Sequence, residues 1–264
     1  MASTQAGPRH PKGPPKADPA EEAGPFLSAL LDSSVGGKIL VALTGIGLVS
    51  FVVVHMIGNL KVFQGQDSIN AYAYFLKHSL GALIWIARAG LLGIFVLHLT
   101  LALRLQFRSR AARPVPYQYP GSVQATAASG SMMWSGIVVG LFILFHLAHF
   151  TFAWVTEVEV APGKFSNYLE LKDSHGRHDV YSMVVAGFSN PGLVALYVVS
   201  QVVLFVHLLH GIQSSFQTLG LKNRRFASLI KALGFLIAFT ILVGNLVIVL
   251  GVMAGWAPPI HKTA

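Results

Sequence analysis

The chain has no cysteine. Disulfides, thiolate metal sites, iron–sulfur ligation and thiol nucleophiles are therefore excluded within it. Charge is scarce as well: 11% of the 264 residues are Asp, Glu, Lys or Arg, against about 25% in a soluble domain. Acids are the scarcer sign, ten in all, and half of them (Glu157, Glu159, Glu170, Asp173, Asp179) fall in one connection. Apolar residues make up 53% of the chain and the mean hydropathy is +0.61. One water-soluble core cannot absorb that much apolar surface, and so little charge also excludes disorder as the main state. The formal charge of +9 does not indicate nucleic acid, because the basic residues lie between apolar runs and form no basic face.

Five apolar stretches dominate what is present, at about 39–60, 80–103, 131–155, 190–214 and 232–255. Each approaches the roughly 20 residues that an α-helix needs to cross a bilayer. Barrel strands would be half as long and alternate with period two. The expected fold is an all-α integral membrane protein, a bundle of five transmembrane helices over 33–256. Residues 1–32, rich in Pro, Gly, Ala and charge, are expected to form a disordered tail, and 257–264 a short C-terminal tail. No internal duplication is evident.

Basic residues orient the bundle. Arg9, Lys12, Lys16, Lys38, Arg104, Arg108, Arg110, Arg113, Lys222, Arg224, Arg225 and Lys231 share one side. Lys61, Lys77, Lys164, Lys172, Arg177 and Lys262 share the other. The positive-inside rule puts the N-terminus in the cytoplasm and the C-terminus outside.

Six histidines lie within the spans: His55, His98, His146, His149, His207 and His210. An ionisable group in hydrocarbon is costly and points to function. With a rise of about 1.5 Å per residue, His55 falls about 8 Å outward of the midplane and His98 about 10 Å inward of it. His146 and His149 follow His55, and His207 and His210 follow His98. Histidines at matched depth on opposed helices suit bis-histidine haem b, each imidazole supplying one axial nitrogen. Zinc would want three or four clustered ligands, often with carboxylates, and the spans contain no Asp or Glu. Gly45, Gly47, Gly58, Gly90, Gly93, Gly136 and Gly140 serve either close helix packing or room for a flat macrocycle. Arg88, the one basic residue well inside a span, suits either a haem propionate or snorkelling to the surface.

The stretches SSVGGKILVALTGIGLVSFVVVHMIGNLKVF, INAYAYF, RAGLLGIFVLHLTLALRL, SGIVVGLFILFHLAHFT and FSNPGLVALYVVSQVVLFVHLLHGIQSSFQTLG resemble one membrane subunit over roughly 33–255. It is the di-haem cytochrome b anchor of succinate:quinone oxidoreductase, the succinate dehydrogenase and fumarate reductase family (respiratory complex II, which feeds electrons from the tricarboxylic acid cycle into the membrane). The resemblance implies two b haems, the outer held by His55 and His146 and the inner by His98 and His210. It favours His146 and His210 because Leu147 and Gly211 follow them as in the family; His149 and His207 then pack beside the ligands or replace them. It also implies a flavoprotein subunit and an iron–sulfur subunit on the cytoplasmic face of the cell's inner membrane, and a quinone substrate, menaquinone by family practice. Some members carry an acid two residues before the fourth ligand, linked to proton movement; Leu208 stands there in this chain.

The chain lacks both a dinucleotide-binding unit and cysteines, so its expected part is anchor and electron relay. Ser33, Ser34 and Lys38 at one mouth, and Asp67 and Asn70 at the other, are candidates for a quinone head group. Other readings are a cytochrome b anchoring a formate dehydrogenase or hydrogenase, and a haem-free transporter using Thr44, Thr100, Thr240 and Asn245.

Overall fold

The computed structural model describes residues 31–112, 130–161 and 163–259. Residues 1–30 of the expected N-terminal tail and 260–264 of the C-terminal tail lie outside the described residues. Among the described residues five helical segments are long and apolar enough to cross a membrane, at Ser34–Gln64, Ala82–Ala111, Met132–Thr151, Pro191–Thr218 and Ala227–Met253. The chain is an all-α membrane bundle, as its hydropathy predicts.

Helix ends follow local chemistry. Ser33 caps α1 (Ser34–Asn59), its hydroxyl accepting from Val35 N at 3.2 Å and Gly36 N at 3.3 Å. A 3₁₀ turn (Leu60–Gln64) extends the first span, and α2 (Gln66–Tyr74) returns across the bundle end. Helix α3 (Ala82–Ala111) runs eight residues past the expected limit of 103. It does so because Arg104 and Arg108 are tied to the start of the first span: Arg104 pairs with Asp32 at 2.7 Å, and Arg108 donates to Asp32 O at 2.8 Å.

Helix α4 (Met132–His146) passes into a π-turn, Leu147–Thr151, and ends there rather than at 155. The cause is local. Phe152 N bonds back to Leu147 O, Trp154 N to Ala148 O, and buried Ala153 takes a left-handed φ of 52°. The connection that follows is a folded cap, which hydropathy does not foretell. It contains an antiparallel hairpin, β1 (Glu157–Ala161) and β2 (Lys164–Asn167), and a short helix, α5 (Val180–Gly187). Asn190 caps α6 (Pro191–Thr218), with Pro191 in its first turn. Helix α7 is Ala227–Met253.

Helix α1 packs against α3, α6 and α7, and α6 against α4 and α7, whereas α3 and α4 meet over a much shorter stretch. Most of α3 is unpacked: Leu83, Trp85, Ile86 and Leu92 are exposed, and Leu101 alone on this helix is buried. In water such a surface would aggregate; in a bilayer it is the surface that lipid covers. The main core sits at the hairpin end, where Met56, Val62, Ile69, Tyr181, Val184, Phe188, Tyr197 and Val249 pack together. A second cluster, Leu208, Ile212, Ala238 and Ile241, joins α6 to α7 nearer the basic end.

A polar clamp closes the hairpin end. Asn70, with no exposed surface, donates to Asp179 Oδ1 at 3.0 Å and Asp173 Oδ2 at 3.3 Å, and accepts from Tyr181 N. Asp179 also accepts from Gln66 Nε2 and from the Ser182 hydroxyl and amide. Arg177 bridges Asp173 and Asp67, each at 2.7 Å. Burial opposes the charge on Asp173, but the bonds it accepts from Arg177, Asn70 and the His175 amide outweigh it and hold its carboxyl below the usual range. Burial lowers His178 from the ordinary 6.5 against a backbone hydrogen bond with Leu171. Both shifts have the same sign: the clamp is strongest above the ordinary imidazole value. It loses the His178 contribution as pH falls below 6.5, and the Asp173 contribution in the acid carboxylate range. Hydrogen exchange of amides 171–182, corrected for intrinsic rate, should accelerate between pH 8 and pH 5 while α6 amides stay unchanged. Equal protection at both pH values would contradict this.

Candidate functional site

Helices α1 and α4 carry the same local arrangement. In each, a hydroxyl residue precedes a glycine, and a histidine follows that glycine by ten positions: Thr44, Gly45 and His55 on α1; Ser135, Gly136 and His146 on α4. The glycines admit histidines from the next helices. A Cβ on Gly45 would meet His98 of α3 at 3.2 Å, and a Cβ on Gly136 would meet His207 of α6 at 3.3 Å, the same ring carbon in both cases. His98 Nδ1 lies 3.1 Å from Val41 O and 3.1 Å from the Thr44 hydroxyl. His207 Nδ1 lies 3.3 Å from the Ser135 hydroxyl, with a hydrogen bond to the Met132 backbone. Thus α1 with α3 repeats as α4 with α6, a duplication that hydropathy does not reveal.

The repeat sets two levels. His98 and His207 stand beside the two glycines; His55 and His146 stand ten residues further along α1 and α4. At helical rise the levels are about 15 Å apart. At the hairpin-end level the His55 and His146 rings face each other, with centroids 5.8 Å apart and planes at 89°. At the basic-end level His207 lies within electrostatic reach of His98 and His210. His55 thus meets His146, and His149 shares the Tyr197 hydroxyl with His146.

The six rings have different surroundings. His55 stacks on Phe51 at 5.3 Å and keeps exposed surface, so there is room beside the pair. His146 Nδ1 is 3.2 Å from the Tyr197 hydroxyl, and His149 Nδ1 is 3.0 Å from the same oxygen. His149 is wholly buried, stacked on Phe150 at 4.0 Å, and its Nε2 has no hydrogen-bond partner among the described residues. His210 is half-buried, one turn beyond His207. Leu208 between them is buried in the cluster against α7.

A haem test can be made on these side chains. The His55 and His146 rings, with centroids 5.8 Å apart, are near enough for both to hold one metal-centred group. A ligating imidazole normally donates its second N–H to an oxygen. Val41 O can only accept, so His98 carries its proton on Nδ1 and presents a free lone pair at Nε2. Among the described residues, Cβ atoms on Gly90, Gly93 and Gly140 would meet nothing within 4 Å; Gly45, Gly47, Gly58 and Gly136 are filled by neighbours. Among the described residues there is no cluster of three or more His, Cys, Asp or Glu that could hold a metal ion. The donor sets are paired imidazoles, which fit an iron whose other four ligands come from a macrocycle.

The remaining candidates fall elsewhere. The Arg88 guanidinium lies over the Trp85 ring at 4.9 Å on the exposed face of α3, an arrangement suited to a membrane interface. The Ser33 hydroxyl is engaged in capping, Ser34 is the first residue of α1, and Lys38 is exposed nearby. Asn70 is closed inside the clamp, and Asp67 is held by Arg177. Of the polar groups proposed for a transport path, Thr44 and Thr100 donate to carbonyls of their own helices, Leu40 O and Val96 O, and Asn245 donates from α7 to Gln201 on α6. Tyr197 escaped the reading of the sequence, which offers no signal for one tyrosine among the apolar residues of α6.

The chain matches no protein-family model, no curated protein and no solved structure.

Proposed function

We propose that this chain is the membrane-anchor and electron-relay subunit of a succinate:quinone oxidoreductase. It would pass electrons between an iron–sulfur subunit on the cytoplasmic face and quinone in the inner membrane. One observation carries the reading: the paired imidazoles at two levels, built by the same glycine-and-hydroxyl arrangement on α1 and α4. When bound, two b haems would supply one-electron transfer between those levels.

The chain's own residues account for holding and orienting the groups. His55 and His146 would hold the outer one. His98 would hold the inner one from α3, with Val41 O fixing its tautomer. From α6 we favour His207 over the His210 that the resemblance implies, because His207 repeats the contact His98 makes and lies within reach of it. Apolar faces of α1, α3, α4 and α6 would exclude water. Leu208 faces α7, which speaks against a protonatable side chain at that place. Lys222, Arg224 and Arg225, exposed at the basic end, suit both the positive-inside orientation and docking of an acidic face of the soluble subunits.

Purification of the complex from membranes, with a reduced-minus-oxidised spectrum and a haem-to-protein ratio, tests this reading. A b-type spectrum with about two haems per chain is expected, together with co-purifying flavoprotein and iron–sulfur subunits. A colourless protein overturns it. A coloured protein bound to subunits of another dehydrogenase keeps the haems and replaces the partners.

A further inference from the structure

We infer that Tyr197 is a positioning residue for the hairpin-end ligand, acting through a hydrogen-bonded line His146–Tyr197–His149; this rests on the reading that His146 binds haem iron. Tyr197 is 3% exposed, and its hydroxyl is within hydrogen-bond distance of two imidazole Nδ1 atoms, at 3.2 Å for His146 and 3.0 Å for His149. A tyrosine hydroxyl has one proton. It can donate to only one of the two imidazoles, and where it does so while accepting from the other, the line has a direction.

An imidazole that bonds iron through Nε2 carries its proton on Nδ1. His146 then donates to the Tyr197 oxygen, Tyr197 donates to His149 Nδ1, and the His149 proton sits on Nε2. The opposite direction would put the His146 proton on Nε2 and block the iron. By hydrogen bonding alone either histidine could be the ligand; their surroundings break the tie. His146 faces His55 at 5.8 Å, whereas His149 is sealed against Phe150 and Tyr168, with its Nε2 buried and unpartnered. An unpartnered buried nitrogen is costly, and this line gives it a purpose: His149 is kept as the acceptor that turns the Tyr197 hydroxyl toward it, leaving the oxygen lone pairs for His146.

The bond from His146 to Tyr197 makes the imidazole more electron-rich and favours ferric iron, and donation onward to His149 strengthens it. Tyr197→Phe keeps the ring that packs on Phe142 and Phe188 and removes only the oxygen. In the purified complex it should retain both haems, shift the midpoint potential of the outer haem to a more positive value, and change its low-spin ferric EPR signal, with the inner haem unchanged. His149→Leu should shift the outer potential in the same direction. His149→Gln, whose amide oxygen can still accept from Tyr197, should restore it. Should Tyr197→Phe fail to assemble, the Leu and Gln pair at 149 decides the matter. Unmoved outer potentials in fully loaded variants overturn the inference. So does loss of the outer haem in His149→Gln, which would make His149 the ligand. A colourless wild-type complex removes the proposed function together with this inference; coloured protein with unmoved potentials removes this inference alone.

Discussion

Replacing His55 with Leu should lower the haem content from about two per chain to about one, with loss of the outer haem signal alone. His146→Leu should do the same, because the two rings face each other 5.8 Å apart and neither has another imidazole in its place. His98→Leu should remove the inner haem instead. Helix α6 supplies the discriminating pair. His207→Leu should also remove the inner haem, and His210→Leu should leave both. The reason is geometric: His207 lies against Gly136 as His98 lies against Gly45, and His210 has no such counterpart. Retention of both haems in His207→Leu together with loss in His210→Leu would return the assignment to the one that the resemblance implies.

Asp179→Leu should destabilise the hairpin end severely. Its carboxylate, 5% exposed, receives hydrogen bonds from Asn70, Gln66 and Ser182. Without it, buried donors on α2 and α5 lose their acceptor, and each orphaned group costs roughly 1–3 kcal/mol. Several act together, so the loss should reach about 3 kcal/mol, and the thermal midpoint in detergent should fall by on the order of 10 °C. Asp67→Asn provides the contrast. That carboxylate is 79% exposed where it meets Arg177, so solvent already screens the pair and little stability is lost. Comparable midpoints for Asp179→Leu and wild type would show that the clamp adds nothing.

The five spans were legible because bilayer thickness imposes a length and an apolar composition on any crossing helix. Their ends were less so. The π-turn after His146 and the left-handed Ala153 stop the third span short of its apolar run, through backbone bonds that hydropathy cannot register. The hairpin and α5 were hidden because a cap of mixed polarity reads as loop until its partners are present. Asn70 and Asp67 looked available for a ligand since both are polar and near a helix end; the fold spends Asn70 inside the clamp. Ser33, a candidate for a quinone head group, has its hydroxyl engaged in capping α1.

By itself the sequence determined that this chain is a multi-pass membrane protein and where its apolar spans lie, and it set the expected depths of the six histidines within them. Those properties follow from sums along each segment: hydropathy over a span, and rise per residue. Only the tertiary structure decided which imidazole on each helix turns toward which neighbour. Residues three apart on a helix, such as His146 and His149 or His207 and His210, lie on nearly the same face about 4.5 Å apart along the axis, and which of them meets a given neighbour depends on where helices cross. Gly45 and Gly136 let the partner helices approach, and that close approach separates the histidines that face one another from those that do not.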